Sequence, residues 1–226
     1  MRRPGSRQPL GREFILTAAL DIIDTHGAAA LSLRSLAAHL DSGTATLYRH
    51  FPSRAALIAA VIDRVLAEID LADTDVTTGT WQQVCKNLAQ QLFDALAAHR
   101  NLASLLVEHP PAGQATAAAR EQFLGVLLRD GFTPDIAGRL YATLVHYVFG
   151  FAIQLSAHSN SQGPEAALPV VLADADPASY PATARTAATG ALPMTLAEEF
   201  NYGLDLILGI DRLERRATRP TGTARR

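Results

Sequence analysis

The chain has 226 residues, of which 48% are hydrophobic and 19% charged, with a formal net charge of −2. A chain of this length can bury enough surface to fold without stabilising cross-links, and the single cysteine, Cys85, excludes a disulfide within the chain. The net charge hides an asymmetry, because residues 1–60 hold seven Arg against four acidic residues, whereas residues 61–226 hold 13 basic and 18 acidic residues. A basic N-terminal segment on an acidic body is typical of a chain that contacts a polyanion with one end.

Several function classes are disfavoured by the pattern. Residues 1–14 are basic but have no apolar signal core, and the most apolar run, 140–157, is interrupted by His146, Gly150 and Gln154. A buried or dimer-facing helix explains that run better than a membrane span, so we expect a cytoplasmic protein that makes no contact with membranes. The seven His lack metal-ligand spacing, and no HExxH, CxxC, GxSxG or phosphate loop occurs. We therefore expect no enzyme, metal site or cofactor.

The N-terminal part begins with a basic arm and a helix. Residues 1–11 combine Pro, Gly and Arg, and they form either a disordered tail or an arm that adds contacts to DNA. Apolar residues at helical spacing predict a helix over 12–26, ended by Gly27 as a left-handed cap. A later helix, with Ser53 as its cap, extends to about Leu71 and joins two modules.

Residues 31–51, LSLRSLAAHLDSGTATLYRHF, predict two short helices joined by a tight turn. Ser32 is placed to cap the first helix, residues 41–43 break it, and Thr44 is placed to cap the second. The second helix keeps a polar, aromatic and basic face outward. This arrangement is typical of a helix-turn-helix that enters the DNA major groove.

The remaining chain is also predicted to be helical. Helical periodicity and breaks predict five helices, at residues 81–98, 102–107, 114–129, 134–158 and 195–216.

The connecting segments carry turn-forming and polar residues. Residues 73–80 are predicted to be a loop, and 159–192 a long mobile loop with a weak helical patch over 178–189. The fold class is therefore all-α. We expect three segments: a three-helix DNA-binding domain with its basic arm at 1–60, a helical ligand-binding and dimerisation domain at 61–216, and a disordered basic tail at 217–226.

The N-terminal motif resembles the TetR family of transcriptional regulators. The residues that carry the likeness are Ala19, Gly27, Leu31-Ser32-Leu33-Arg34, Leu36-Ala37, Leu40, Thr46-Leu47-Tyr48, His50-Phe51 and Leu57. A weaker likeness to tetracycline-repressor-like members covers most of the remaining chain. It is carried by Trp81-Gln82, Asp130-Gly131-Phe132, His146-Tyr147, Gly150 and Phe200-Asn201-Tyr202-Gly203-Leu204.

The resemblance implies a homodimer that pairs through a four-helix bundle, built from the long helix and the last helix of each subunit. It also implies a small-molecule pocket in each subunit and release of DNA when the pocket is filled. Two residues of the turn depart from the family pattern, since Asp41 stands where Gly is usual and Ser42 where an apolar residue is usual. Asp is able to adopt the same backbone conformation, so the turn is retained.

The pocket departs further from tetracycline-binding members. Positions that are polar there correspond here to Leu88, Leu106 and Phe123, and Asp70 replaces a pocket His, which leaves His146 as the one polar match. Tetracycline–magnesium is therefore not supported as the ligand, and an apolar effector fits these residues better.

Seven residues are candidates for contact with a double-stranded DNA operator. Arg34 and Arg54 lie near predicted helix starts, where a guanidinium can hold a phosphate, and a solvated surface arginine is the alternative. Hydroxyl and guanidinium groups on the second helix can contact phosphate or base edges, and the residues alone leave that choice open. These side chains are Thr44, Thr46, Tyr48, Arg49 and His50. His50 is the one more suited to backbone than to base contact.

The effector site is expected to be concave and mostly apolar, with few polar anchors. For each single residue, ordinary core packing is the alternative. The candidates are Trp81, Leu88, Leu92, Leu106, Phe123, Tyr141, His146 and Phe149.

These patterns predict a dimeric, ligand-responsive repressor that binds a pseudo-palindromic operator and is released by a small, apolar effector. Two alternatives stay open. One is a DNA-binding activator or an effector-independent regulator. The other is a helical carrier or enzyme, for which the basic N-terminal module is incidental.

Overall fold

The computed structural model describes residues 10–69, 79–159, 176–189 and 195–209. Within these ranges all regular elements are helices, and the predicted all-α class is confirmed. The α-helices, in chain order, are α1 Arg12–His26, α2 Leu33–His39, α3 Thr44–His50, α4 Arg54–Leu66, α5 Trp81–Ala98, α6 Arg100–Ala103, α7 Gln114–Arg129, α8 Pro134–Ser159, α9 Pro181–Ala187 and α10 Leu196–Leu208. Short 3-10 turns occupy Ala28–Ala30 and Ser104–Leu106.

Helices α1 to α3 form the three-helix head that the motif predicts. Leu36 and Leu47 are fully buried, and Phe51 is 1% exposed, so α2 and α3 are pinned to one small core. Ser32 caps α2 as predicted, because its hydroxyl accepts a hydrogen bond from the backbone N–H of Ser35 at 2.9 Å. The Ser35 hydroxyl accepts in return from the Ser32 N–H at 2.9 Å, which completes a capping box.

The turn between α2 and α3 follows the prediction for Asp41 but not for Thr44. Asp41 has a φ of 46°, so it takes the left-handed conformation expected of it. Thr44 is not the cap, because α3 begins at Thr44 itself and Gly43 precedes it without a side-chain cap.

The predicted left-handed cap at Gly27 is also wrong in detail. Its φ of 84° is positive, but its ψ of 161° is extended, a combination that a side chain disfavours.

Helix α4 begins as predicted and ends earlier. The Ser53 hydroxyl accepts from the Ala56 N–H at 3.1 Å, which caps its first turn. The helix ends at Leu66, not near Leu71, and a turn leads to Ile69. Its buried face belongs to the same hydrophobic cluster as the head and the body, so α4 joins the two modules.

Helix α8 is the centre of the body. It packs against α5, α6, α7 and α10. It is long and apolar enough to cross a bilayer by length and composition, and one such helix is weak evidence for a membrane span, because the core helix of a soluble protein passes the same test. The predicted helix at 102–107 is divided into α6, which starts two residues earlier, and the 3-10 turn that follows it.

Cys85 is fully buried on α5, and burial raises the pKa of its thiol to about 12, which keeps it protonated and unreactive.

Helix α10 is held on α5 and α8 by aromatic and polar contacts. Phe200 stacks on Phe93 with ring centroids 4.2 Å apart, and the Tyr147 hydroxyl donates to the Phe200 carbonyl at 2.9 Å. Burial, with the Glu199 carboxylate adding to it, raises the pKa of Tyr147 to about 12, so the phenol remains a donor. Lys86 forms an ion pair with the Asp205 carboxylate across the same contact.

The last helix is shorter than predicted. It ends at Leu208 because Gly209, with a φ of 71°, adopts a left-handed cap, so the continuation through residue 209 is wrong. The weak helical patch over 178–189 contains α9, whose seven residues include none that is buried.

Some predictions lie outside the described residues. They concern the arm at 1–9, Asp70, the loop at 73–78, most of the 159–192 loop, the helix end at 210–216 and the tail at 217–226.

Candidate functional site

The outer face of α3 presents the predicted reading residues. Tyr48 is 55% exposed, and Thr44 and Arg49 are exposed as well, whereas Leu47 on the inner face is fully buried. Thr46 is half-buried and accepts a 3.4 Å hydrogen bond from the Arg49 guanidinium. Burial of the inner face therefore fixes a polar surface with an aromatic ring at its centre, which is suited to a DNA groove.

Arg12 contributes to this surface, although the sequence did not single it out. Its guanidinium lies 4.6 Å from the centroid of the Phe51 ring and donates to the His50 carbonyl at 3.5 Å. His50 itself is half-buried beside Phe51. The contact links the start of α1 to the end of α3, and no local pattern reveals a pairing of residues so far apart in the chain.

The two arginines predicted to bind phosphate differ in their surroundings. Arg34 is exposed on α2, and none of the described residues forms an ion pair or hydrogen bond with it. Arg54 is half-buried, and its Nε donates to the Leu31 carbonyl at 2.7 Å and its Nη2 to the Ala28 carbonyl at 3.0 Å. The interpretation of Arg54 as a phosphate ligand stays a prediction, because these two bonds use only part of the donor capacity of its guanidinium. Its guanidinium is used to tie the start of α4 to the segment before α2.

An apolar cleft lies between the end of α4 and helices α5, α7 and α8. Its empty volume is about 590 Å3, counted out to the surrounding solvent, and its walls are mostly apolar, as expected of a small-molecule site. Its walls include five of the predicted effector residues: Leu88, Leu92, Phe123, Tyr141 and Phe149.

Three predicted effector residues do not line this cleft. Trp81 packs edge-on against Phe132, with ring centroids 4.9 Å apart. Leu106, the last residue of the 3-10 turn, is 4% exposed and packs in the core. His146 is exposed on α8, on a face turned away from the cleft lining. Periodicity places His146 on a helix face, but it does not tell which of two faces meets the cleft.

The cleft also contains residues that the sequence reasoning missed. Leu66 and Ile69, at the end of α4, form part of its wall, and Thr116 and Arg120 of α7 supply polar groups. Tyr141 is half-buried, and burial raises the pKa of its phenol, an effect that the nearby Arg120 cation opposes. Among the described residues, no group of three or more His, Cys, Asp or Glu is placed to hold a metal ion.

Comparison with known families matches both halves of the chain. A family model described as "Bacterial regulatory proteins, tetR family" matches residues 15–61, and one described as "Tetracyclin repressor-like, C-terminal domain" matches residues 73–213. The second match alone covers more than half of the 226 residues. The chain belongs to the TetR family of transcriptional regulators.

Relatives of this TetR regulator include a named repressor and a protein of known structure. It is 28% identical over 222 residues to the HTH-type transcriptional repressor DrrR1 of Streptomyces coeruleorubidus, covering 92% of this chain and 80% of that protein. Apo ActR from Streptomyces coelicolor matches with a TM-score of 0.79 and 27% identity, over 90% of this chain and 95% of that one. ActR in complex with actinorhodin matches with a TM-score of 0.77 and 27% identity, over 94% of this chain and 100% of that one.

In this TetR regulator the DNA-reading head and the cleft are joined by a contact through α4. The Asp63 carboxylate accepts hydrogen bonds from the Thr116 N–H at 3.1 Å, the Thr116 hydroxyl at 3.2 Å and the Ala115 N–H at 3.4 Å. It thereby caps α7, whose own N-cap residue, Gly113, supplies no side-chain oxygen. A Cβ at position 113 would overlap this carboxylate, so the contact requires glycine there.

A second contact joins the head to the body at the end of α1. His99 Nδ1 lies 2.7 Å from the Asp24 carboxylate, and the Asn101 amide donates to the carbonyls of Ile23 and Asp24 at 3.0 Å each. The head is therefore attached at two places, at α1 and at α4. A displacement of α7 would reach α3 mainly through α4, because α4 alone both follows the reading helix and lines the cleft.

Proposed function

We propose that this chain is a homodimeric transcriptional repressor that releases its DNA operator when a small molecule fills the cleft. The observation that carries the proposal is the position of α4. This helix follows α3 directly, its last residue Leu66 and Ile69 of the following turn line the cleft, and Asp63 holds it to α7. A ligand that shifts α7 or α8 therefore changes the angle at which α3 is presented to DNA. Coupling of about 1–3 kcal/mol is sufficient for such a switch.

Two copies of α3 would read successive major grooves on one side of a pseudo-palindromic operator. Tyr48, Thr44 and Arg49 are the exposed side chains that we assign to groove and backbone contacts, with Thr46 and His50 at their edge. Arg34 flanks these side chains. Its guanidinium has no partner among the described residues, so it is suited to contact a phosphate. The repressor acts on DNA, which places it in the cytoplasm.

Dimerisation is supported by the surface that α8 and α10 leave uncovered. The most apolar window of α8 has a mean hydropathy of 1.3, yet only 22% of it is buried within the subunit. On α10, Tyr202 is 57% exposed and Leu206 is 49% exposed, one helical turn apart. Apolar residues are partly exposed on α8 and exposed on α10, so a partner is expected to cover them, and a second copy of the same pair would form a four-helix bundle.

The two arginines of the head make the DNA-binding assignment testable. Arg34→Ala should weaken binding to all DNA sequences and reduce the slope of log K against log salt by about 0.9, the share of one phosphate contact. Arg54→Ala should instead lower the free energy of unfolding by about 1–3 kcal/mol, because two backbone carbonyls lose a charged donor. Salt titrations of DNA affinity, together with denaturant unfolding, distinguish the two roles. An unchanged salt slope for Arg34→Ala would remove it from the interface.

The experiment that tests the function uses DNA from both sides of the regulator's own gene, since such regulators often control their neighbours. The wild-type dimer should shift a fragment of this DNA at a protein concentration where an unrelated fragment stays free. Tyr48→Ala should lose about tenfold or more in affinity, since it removes the most exposed aromatic ring of α3, while its melting temperature stays unchanged. Intact affinity in Tyr48→Ala would show that DNA is bound by another surface.

A further inference from the structure

One exposed arginine borders the mostly apolar cleft. Arg120, on α7, lines it beside Tyr141 and Phe123, and the described lining residues include no Asp or Glu. Arg120 also takes part in none of the ion pairs found among the described residues. Its charge is therefore available to a ligand, and it loses no partner of the described chain when one binds.

The neighbouring phenol adds a neutral donor at the same wall. Tyr141 packs edge-on against Phe123, with ring centroids 5.6 Å apart, and this contact holds its ring in place. Because burial raises the pKa of Tyr141, the hydroxyl keeps its proton near neutral pH and is able to donate a hydrogen bond. A guanidinium and a phenol on one wall form a donor pair for a group that carries negative charge.

The acidic residue that contacts the start of α7 is already engaged. Asp63 accepts three hydrogen bonds at the start of α7 and is not part of the cleft lining. Thr116 lines the cleft, but its hydroxyl donates to Asp63. Neither of these described residues supplies an acceptor for the Arg120 guanidinium, which is exposed and accessible to a ligand.

The remaining walls select the body of the ligand. Phe123, Tyr141 and Phe149 present aromatic rings, and leucines 88 and 92 of α5 present branched apolar groups. Such walls favour a flat, apolar skeleton, because rings stack or pack edge-on at little entropic cost.

We propose that the effector is an aromatic acid, a flat apolar skeleton with one anionic group that Arg120 and Tyr141 hold. The inference rests on the proposed function in that the cleft is taken as the effector site. The sequence predicted only that the effector is apolar, whereas this inference adds that the effector carries a negative charge.

The test compares two fluorescent probes that differ in one anionic group. 8-Anilinonaphthalene-1-sulfonate carries a sulfonate, whereas N-phenyl-1-naphthylamine has the same skeleton without it. The full-length protein should bind the sulfonate about tenfold more tightly than the neutral probe, a lower-end value for a charge-assisted contact at an exposed arginine. Arg120→Gln should abolish that preference, leave the affinity for the neutral probe unchanged, and leave the melting temperature unchanged. Arg120→Lys should retain part of the preference.

Arg129→Gln provides the matched control, since Arg129 is an exposed arginine at the other end of α7, outside the cleft lining. It should behave as the wild type with both probes. The proposal is overturned if the wild type shows no preference for the sulfonate, if neither probe binds, or if Arg120→Gln weakens both probes equally. Operator binding is measured separately on the same proteins. If the protein binds no operator but Arg120→Gln still abolishes the preference for the sulfonate, the proposed function alone is rejected. If the protein binds its operator but Arg120→Gln leaves that preference unchanged, this inference alone is rejected.

Discussion

Leu206→Asp should convert the dimer into a monomer and reduce operator affinity by at least about a hundredfold. Leu206 is 49% exposed on α10, next to Tyr202 on the face that we assign to the partner subunit. A carboxylate at this position would lose its water in the two-fold interface, and its copy on the partner subunit would do the same. Each dimer therefore carries two unfavourable buried charges. A single head then binds one half-site without the gain of two linked sites, which is commonly 10²–10⁴-fold.

Val107→Asp is the control for this substitution. Val107 is 70% exposed, more than Leu206, but it follows the 3-10 turn and belongs to neither α8 nor α10. It should remain dimeric at the same protein concentration, as measured by sedimentation velocity or by light scattering after size exclusion. If Leu206→Asp also remains a dimer with full operator affinity, the interface between subunits is elsewhere.

Gly113→Ala should destabilise the protein by about 1–3 kcal/mol and uncouple the cleft from the head. The added methyl group would occupy the place of the Asp63 carboxylate, which would then release the start of α7. Asp63→Ala should cost a similar amount, because it removes the same cap. The double variant should be no less stable than the worse single variant, since both changes remove one shared contact. Denaturant unfolding of the four proteins measures this directly.

Gly125→Ala is the matched control on the same helix. Its Cβ would meet no atom within 4 Å, and alanine is the better helix former, so the change should be neutral or stabilising by up to about 1 kcal/mol. With a compound that releases the wild type from DNA, the Asp63→Ala variant should need at least about tenfold more compound for release. Additive losses in the double variant, or an unchanged response to the compound, would contradict the coupling through Asp63.

The helix pattern of the chain was predictable where local signals were strong. The bounds of α5 match the prediction because Thr80 and Gln83 form a capping box at its start and His99 leaves the helix at its end. The head was predictable for the same reason, since its caps, turn and apolar spacing all lie within about forty residues. The bounds of α7 likewise match, because Gly113 and Asp130 flank an uninterrupted periodic segment.

The parts that were missed depend on contacts between distant residues. Arg54 was predicted to bind a phosphate because it begins a helix, and its hydrogen bonds to carbonyls more than twenty residues earlier were not foreseen. His146 and Arg120 both lie on helices whose cleft-facing side cannot be inferred from periodicity alone. The contact of Asp63 with Thr116 spans 53 positions and leaves no local pattern.

The central claim is that two identical heads read DNA as a symmetric pair. Selection of bound sequences from a pool of random duplexes, with the wild type and Leu206→Asp compared at equal concentration, tests it most directly. For the wild type we predict enrichment of a two-fold symmetric sequence whose half-sites are separated by about one helical turn or a multiple of it. Leu206→Asp should enrich no spaced pair of half-sites. Enrichment of an asymmetric sequence by the wild type, or of no sequence at all, would contradict the account.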